Sequence, residues 1–224
     1  MSKKDPSFVI GIPIYQGMDL MDMAAPREMF SWMAQNWSAE GKVEVVTVAQ
    51  RHKVVTTRDG QRIVPDATFK KVRRVDVMWV PGGNVTELKE QMQNKKFLKH
   101  LRRWAEGARW VTSVCEGAML LAAAGLLDGY QATTHWSFLN CLREYPVDVQ
   151  GGGDYFPRFW VDDRKPGAVR VTGAGISAGL DEALELVRRI AGQEVAEKVQ
   201  QVTQYYPDPP IHAPTPDLSG CPLA

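Results

Sequence analysis

The run Trp110-Val111-Thr112-Ser113-Val114 is apolar and β-branched, and at Cys115 it gives way to the helical spacing of Met119, Leu120 and onward to Leu126. A buried strand that turns straight into a helix forces its junction residue into a tight turn. The side chain there stands clear of the sheet, and the first amides of the helix point at it. A thiol in such an elbow is expected to ionise more readily, because the helix N-terminus favours the thiolate. Gly117 suits a crowded turn in which a Cβ would clash. Two readings fit Cys115. One is a small buried hydrophobe, the common fate of a free cysteine. The other, which the strand-Cys-x-Gly-helix context favours, is a nucleophile.

The chain has 224 residues with no linker-like stretch in its middle, which suits one α/β domain over residues 1–206 followed by a proline-rich tail, 207–224. Its 44% hydrophobic content is enough for a sizeable core. A formal net charge of +1 gives no reason to expect a nucleic acid or an anionic membrane as partner. The apolar stretch before Gln16 is too short for a signal sequence or a membrane span. Cys115, Cys141 and Cys221 are widely spaced, and they suggest neither a disulfide framework nor a zinc site. A reducing, cytoplasmic location is the corresponding expectation.

Strand and helix patterns alternate along the chain. Strands are expected at 8–15, 43–49, 75–80, 110–114, 147–149, 158–161 and 169–172, with a hairpin over 54–65 around Asp59-Gly60. Helices are expected at 21–37, 86–107, 118–124, from 135 to about 144, at 177–190 and at 193–204. Gly125 has the place of a helix C-cap. The alternation predicts a mostly parallel sheet covered on both faces. Ligands of such sheets sit at the carboxyl ends of the strands, where Cys115 and the turn Pro81-Gly82-Gly83 both fall. From Pro207 to Pro222 there are six prolines, so the tail is expected to be extended or disordered.

Several side chains could join Cys115. Gly82 and Gly83 are either a plain strand-to-helix turn or a source of N–H groups for an oxyanion. Asp22 and Asp19 both suit a helix cap, and either could supply a carboxyl acid. Glu116 follows the cysteine in the first helical turn, where an acidic residue is structurally ordinary. As a proton relay it would also oppose ionisation of the thiol. His135 is either a packed, hydrogen-bonded histidine or half of a Cys-His pair. The basic run 70–74 reads as a solvated loop.

The stretch VTSVCEGAMLLAAAGLLDGYQATTHW closely resembles the nucleophile region of the DJ-1/PfpI superfamily, related to class I glutamine amidotransferases. LMDMAAPREMF, VMWVPGG and VTGAGISAGLDEALELV add to the likeness, which spans residues 7–215 and is nearest the isocyanide hydratase branch. The resemblance implies a flavodoxin-like three-layer sandwich, a homodimer and a cysteine nucleophile at Cys115. It also implies an acidic partner at Asp22 and a flanking turn at Gly82 and Gly83. The related AraC-like regulators add a helix-turn-helix domain, for which a chain ending in a proline-rich tail leaves no room. The hydratase branch carries a threonine directly after the cysteine, and this sequence has Glu116.

The resemblance therefore implies hydration of an isocyanide to an N-substituted formamide, with no metal and no organic cofactor. Cys115 would attack the terminal carbon, Asp22 would deliver the proton, and water would resolve the thioimidate. Glu116 would share in proton transfer, in a pocket lined partly by Trp136 or by a second subunit. The alternatives keep the same cysteine: glyoxalase-like action on 2-oxoaldehydes or amidase-like hydrolysis, with Glu116 or His135 as base, or a non-catalytic redox sensor at Cys115.

Overall fold

A computed structural model describes residues 8–38, 41–215 and 218–224. In chain order the elements begin with β1 (Phe8–Pro13), α1 (Leu20–Asn36), β2 (Val43–Ala49) and the hairpin β3 (Val55–Thr56) and β4 (Arg62–Ile63). There follow β5 (Ala67–Thr68), β6 (Val77–Val80), α2 (Val85–Gln93), α3 (Lys95–Ala105), β7 (Trp110–Ser113) and α4 (Gly117–Ala123). After β8 (Gln131–Ala132) come a 3-10 turn (Trp136–Phe138), α5 (Leu139–Leu142), β9 (Asp148–Val149), β10 (Phe159–Asp162) and β11 (Val169–Gly173). The last helices are α6 (Ala178–Ala191) and α7 (Gln193–Thr203).

Seven strands form one sheet in the order β10-β11-β7-β6-β1-β2-β5. Every pairing in it is parallel except β10 with β11. Helices α1, α6 and α7 pack together as one layer, and α2, α3 and α4 as the other. The chain is thus a three-layer α/β sandwich. The central strands carry long apolar side chains because both faces are covered, and Ile10, Ile12, Val77, Met78, Trp79 and Val111 are fully buried. The strand order reverses between β6 and β1, and the turns after these strands meet at the carboxyl edge through a Met18–Gly83 bridge.

One buried interaction at this edge follows from a proline. Pro26 lies inside α1 and has no N–H, so the carbonyl four residues earlier, that of Asp22, lacks its helical donor. The indole Nε1 of Trp79, on β6, donates to that carbonyl at 2.9 Å. Asp19 caps the same helix, its Oδ1 accepting from the Met21 amide at 3.1 Å. Pro26, Trp79 and Asp19 together fix where Asp22 enters the helix.

The structure departs from the sequence reading in three places. The helix expected over 86–107 is broken at Asn94, whose side chain accepts from the Phe97 amide and so starts α3. An Asn side chain competes with the helical backbone, which favours caps over helix interiors. The helix expected from 135 to about 144 is only the 3-10 turn and the four residues of α5. Finally, Cys141 and Cys221 form a disulfide across a sequence separation of 80, contrary to the expectation drawn from their spacing. Spacing along the chain does not report proximity in space. The pairing also removes the cysteine argument for a reducing compartment. Residues 206–215 are exposed and have no helix or strand, whereas 218–224 return to α5 through this bond. Among the described residues no helix is long and apolar enough to cross a membrane.

Trp79→Phe keeps the ring and deletes the donor to the Asp22 carbonyl. Its cost is expected to be about 1–3 kcal/mol, the penalty of an orphaned buried acceptor, read as a lower midpoint in urea unfolding.

Candidate active site

Cys115 follows β7 with a left-handed backbone, φ 56°, as a strand-to-helix elbow requires. Three hydrogen bonds hold it there. Its amide donates to the Ala174 carbonyl at 2.8 Å, the Thr134 hydroxyl donates to its carbonyl at 2.8 Å, and the Val114 amide donates to the Val80 carbonyl at 3.1 Å. A Cβ on Gly117 would fall on the Val80 carbonyl oxygen, so glycine is the residue that lets α4 start this close to β6.

Asp22, Cys115 and Glu116 each bring a side-chain ligand atom within 4.8 Å of the others. Asp22 is fully buried, and its Oδ2 accepts from the Gly82 amide at 2.8 Å. The amide expected to serve an oxyanion is therefore engaged by Asp22. A Cβ on Gly82 would meet the Glu116 carboxylate, so Gly82 provides clearance as well as a donor. Gly83 bridges back to Met18, next to the Tyr15 hydroxyl, which donates to the Pro81 carbonyl at 3.1 Å. Asp19 is not in the cluster. Besides capping α1, it pairs with Arg58 at 2.6 Å.

The electrostatics differ from the expected activated thiolate. Burial, then the charges of Asp22 and Glu116, push the Cys115 thiol well above the ordinary cysteine range. Cys115 is 1% exposed, and the adjoining Glu116 carboxylate adds to the rise, while the Glu116 amide opposes it and is outweighed. A seven-residue helix supplies too little positive potential to offset lost hydration and two carboxylates. Burial, then Asp19 and Glu116, likewise push Asp22 well up, against the Gly82 amide and Arg58. Burial and the neighbouring carboxylates thus favour the neutral thiol at Cys115 and the protonated form of Asp22.

Among the described residues no hydrogen bond joins His135 to Cys115. Its Nδ1 accepts from the Ser137 amide at 3.2 Å, capping the 3-10 turn, so the neutral ring carries its proton on Nε2. Burial lowers its pKa, and the neighbouring charges acting on it are Glu116 and Arg58. His135 and Trp136 instead line an apolar cavity of about 340 Å³ with Met21, Phe156, Ile176 and Thr134. Thr134 and Ala174 belong both to its wall and to the hydrogen bonds holding Cys115, so the cavity adjoins the elbow. Sequence reasoning missed Thr134, Arg58, Tyr15 and Glu182. The Thr133-Thr134 pair just before His135 was the only local signal among them. Glu182, on α6, is fully buried, and among the described residues neither carboxylate oxygen has a hydrogen-bond partner; burial, then the charge of Asp22, pushes it well up.

These features define a protein with a cysteine elbow in a doubly wound sheet. The DJ-1/PfpI family pattern matches residues 9–189, and the chain belongs to that family. It is 33% identical over 215 residues to the isonitrile hydratase of Pseudomonas putida, covering 94% of this chain and 84% of that protein. The crystal structure of a ThiJ/PfpI family protein from Pseudomonas syringae superposes with a TM-score of 0.80 at 32% identity, over 95% of this chain and 81% of the other. The transcriptional regulator GbdR of Pseudomonas aeruginosa is 29% identical over 88% of this chain, which spans 50% of the regulator's length.

Two substitutions probe the charges. Glu116→Gln removes a carboxylate that opposes thiolate formation, so the pH profile of Cys115 alkylation by iodoacetamide should move to lower pH. A profile unmoved or shifted upward contradicts this assignment. Glu182 has a folded pKa above its ordinary value of 4.5, so the folded state binds the extra proton and stability falls as pH rises past that value. Glu182→Met should therefore be more stable than the wild type by a margin that widens from pH 4 to pH 7, reaching about 1–3 kcal/mol in urea titrations.

Proposed function

We propose that the protein hydrates an isocyanide to an N-substituted formamide. The observation that carries this reading is the cluster of Cys115, Asp22 and Glu116, whose side-chain atoms lie within 4.8 Å of one another, beside an apolar cavity; burial there favours the neutral thiol and the protonated Asp22. A neutral, slender substrate that needs no ion partner suits such a cavity. The likeness to an isonitrile hydratase over most of both chains supports the same reading.

In the first half-reaction the Cys115 sulfur attacks the terminal carbon as its proton passes to Glu116. Asp22 gives its proton to that carbon, so carbon gains one C–S and one C–H bond and a thioimidate forms. In the second half-reaction, ionised Asp22 takes a proton from water as the oxygen attacks the same carbon. Protonated Glu116 gives its proton to the nitrogen; the hydroxyl proton then passes to the sulfur as the C–S bond breaks, and the formamide leaves. No free thiolate has to exist in a site that disfavours one, because each proton moves with the bond change that requires it.

A second reading keeps Cys115 and changes the substrate to a 2-oxoaldehyde or an amide. Glu116 favours it, as a carboxylate directly beside the thiol and within electrostatic reach of His135, able to act as base toward a carbonyl substrate. Homodimerisation belongs to the proposal in both readings, with Met21 and Trp136, each 39% exposed at the cavity, as the side chains a second subunit would cover.

Wild-type protein should hydrate para-nitrophenyl isocyanide in an optical assay. Cys115→Ala should abolish turnover, and Asp22→Asn should lower kcat by about a hundredfold or more, the usual contribution of a positioned acid. Turnover of methylglyoxal or a simple amide with none of the isocyanide would replace the first reading by the second. Full activity of a folded Asp22→Asn would remove the acid assignment.

A further inference from the structure

The Cys141–Cys221 disulfide lies at the start of a chain of contacts that ends in the cavity wall. Cys141 is on α5, immediately after the 3-10 turn that bears Trp136. The Asn140 side-chain amide donates to the Leu218 carbonyl at 2.8 Å, so the returning C-terminal segment is held beside the disulfide as well as by it. Arg143 donates from Nη1 to Asn140 Oδ1 and from Nη2 to the Gly151 carbonyl at 2.8 Å. Gly151 opens the loop that carries Phe156 and Pro157 into the cavity wall. Phe156 meets Trp136 edge-on, with ring centroids 6.1 Å apart. The two aromatic walls thus belong to two segments that Arg143 joins, and Asn140 links Arg143 to the tail.

At the start of the loop the Gln150 amide donates to the Ala132 carbonyl at 2.8 Å. Gly151, Gly152 and Gly153 all have positive φ, at 119°, 126° and 61°, and its own hydrogen bonds are the reciprocal pair between Gly152 and Tyr155. A glycine run with few internal bonds opens at low free-energy cost unless anchored from outside. The thiol of Cys115 is almost fully covered, so movement of this wall bears on what reaches it.

We propose that Cys141–Cys221 is a reversible redox latch: oxidised, it holds the C-terminal segment on α5 and the cavity wall closed; reduced, it frees the segment and loosens the wall. The reductant is a small dithiol. One of its thiolates attacks the Cys221 sulfur, which is the more accessible of the two, and Cys141 leaves as a thiolate and takes a proton. The second thiol of the reductant then displaces Cys221 from the mixed disulfide. Two electrons pass to the protein and the reductant leaves as its cyclic disulfide. The inference is independent of the reaction Cys115 performs.

The test is amide hydrogen exchange followed by mass spectrometry on full-length protein, oxidised and after native treatment with dithiothreitol, with alkylation to count thiols. Oxidised protein should leave Cys141 and Cys221 unlabelled. Reduction should expose both and speed exchange across residues 150–157 about tenfold or more, with β6 and β7 unchanged. Reoxidation should restore the slow pattern. Cys221→Ser should match the reduced state and ignore dithiothreitol, and the reduced wild type supplies the same comparison if that variant does not fold. The proposal is overturned if 150–157 exchange alike in both states, or if β6 and β7 loosen together with them. It is equally overturned if native dithiothreitol leaves the bond intact, or if the two thiols stay unpaired after mild oxidation.

Discussion

The left-handed backbone at Cys115 is the constraint from which the site follows. A non-glycine residue held there costs on the order of 1–3 kcal/mol, and it persists only where its surroundings over-determine it. Those surroundings come from four parts of the chain: the Ala174 carbonyl after β11, the Thr134 hydroxyl after β8, the Val80 carbonyl at the end of β6, and Gly117 at the start of α4. The turn that aims the thiol therefore exists only once the central strands have paired. Two of these groups, Thr134 and Ala174, also form cavity wall. The cavity and the geometry of the thiol are consequences of one packing arrangement.

The same enclosure decides the protonation states. In water a helix N-terminus beside a thiol would draw out its proton. Here the helix is short, hydration is gone, and two carboxyls share the space, so lost hydration outweighs the dipole. Asp22 accepts an amide proton from Gly82 on one oxygen and has no partner for the other. A single bond of that kind does not compensate burial, and the acid keeps its proton. A carboxyl can remain a proton donor at neutral pH only under such conditions. Glu116, by contrast, is only partly buried.

The layer order, the parallel sheet and the elbow were legible in the sequence because each rests on local pattern: apolar runs bounded by glycine or proline, and a strand pattern that becomes helical within two residues of Cys115. Asp22 was legible only through resemblance, since its spacing also suits a cap, a task that in fact falls to Asp19. What was not legible depends on contacts distant in sequence. The break at Asn94 needed knowledge that its side chain turns back on the Phe97 amide. Arg58 enters from a hairpin whose sequence announces a turn but not its target. The direction of the Cys115 shift was misjudged because sequence shows the helix that follows and conceals the burial that opposes it.

Pro26 shows how a feature that weakens one element serves another. Inside α1 it removes a helical hydrogen bond, a loss that in an isolated helix would break it. Here the freed carbonyl belongs to Asp22, and Trp79 on β6 supplies the missing donor. The helix is thereby tied to the sheet at the residue whose carboxyl faces Cys115. The Gly82 amide, just past the end of the same strand, binds that carboxyl. Backbone and side chain of Asp22 are thus both fixed by one stretch, Trp79 to Gly82, so the acid cannot shift relative to the sheet without losing two buried hydrogen bonds. With Cys115 held against Val80 in the same stretch through Val114 and Gly117, β6 is the common reference for the acid and the sulfur, and their separation is set by strand geometry rather than by loop conformation.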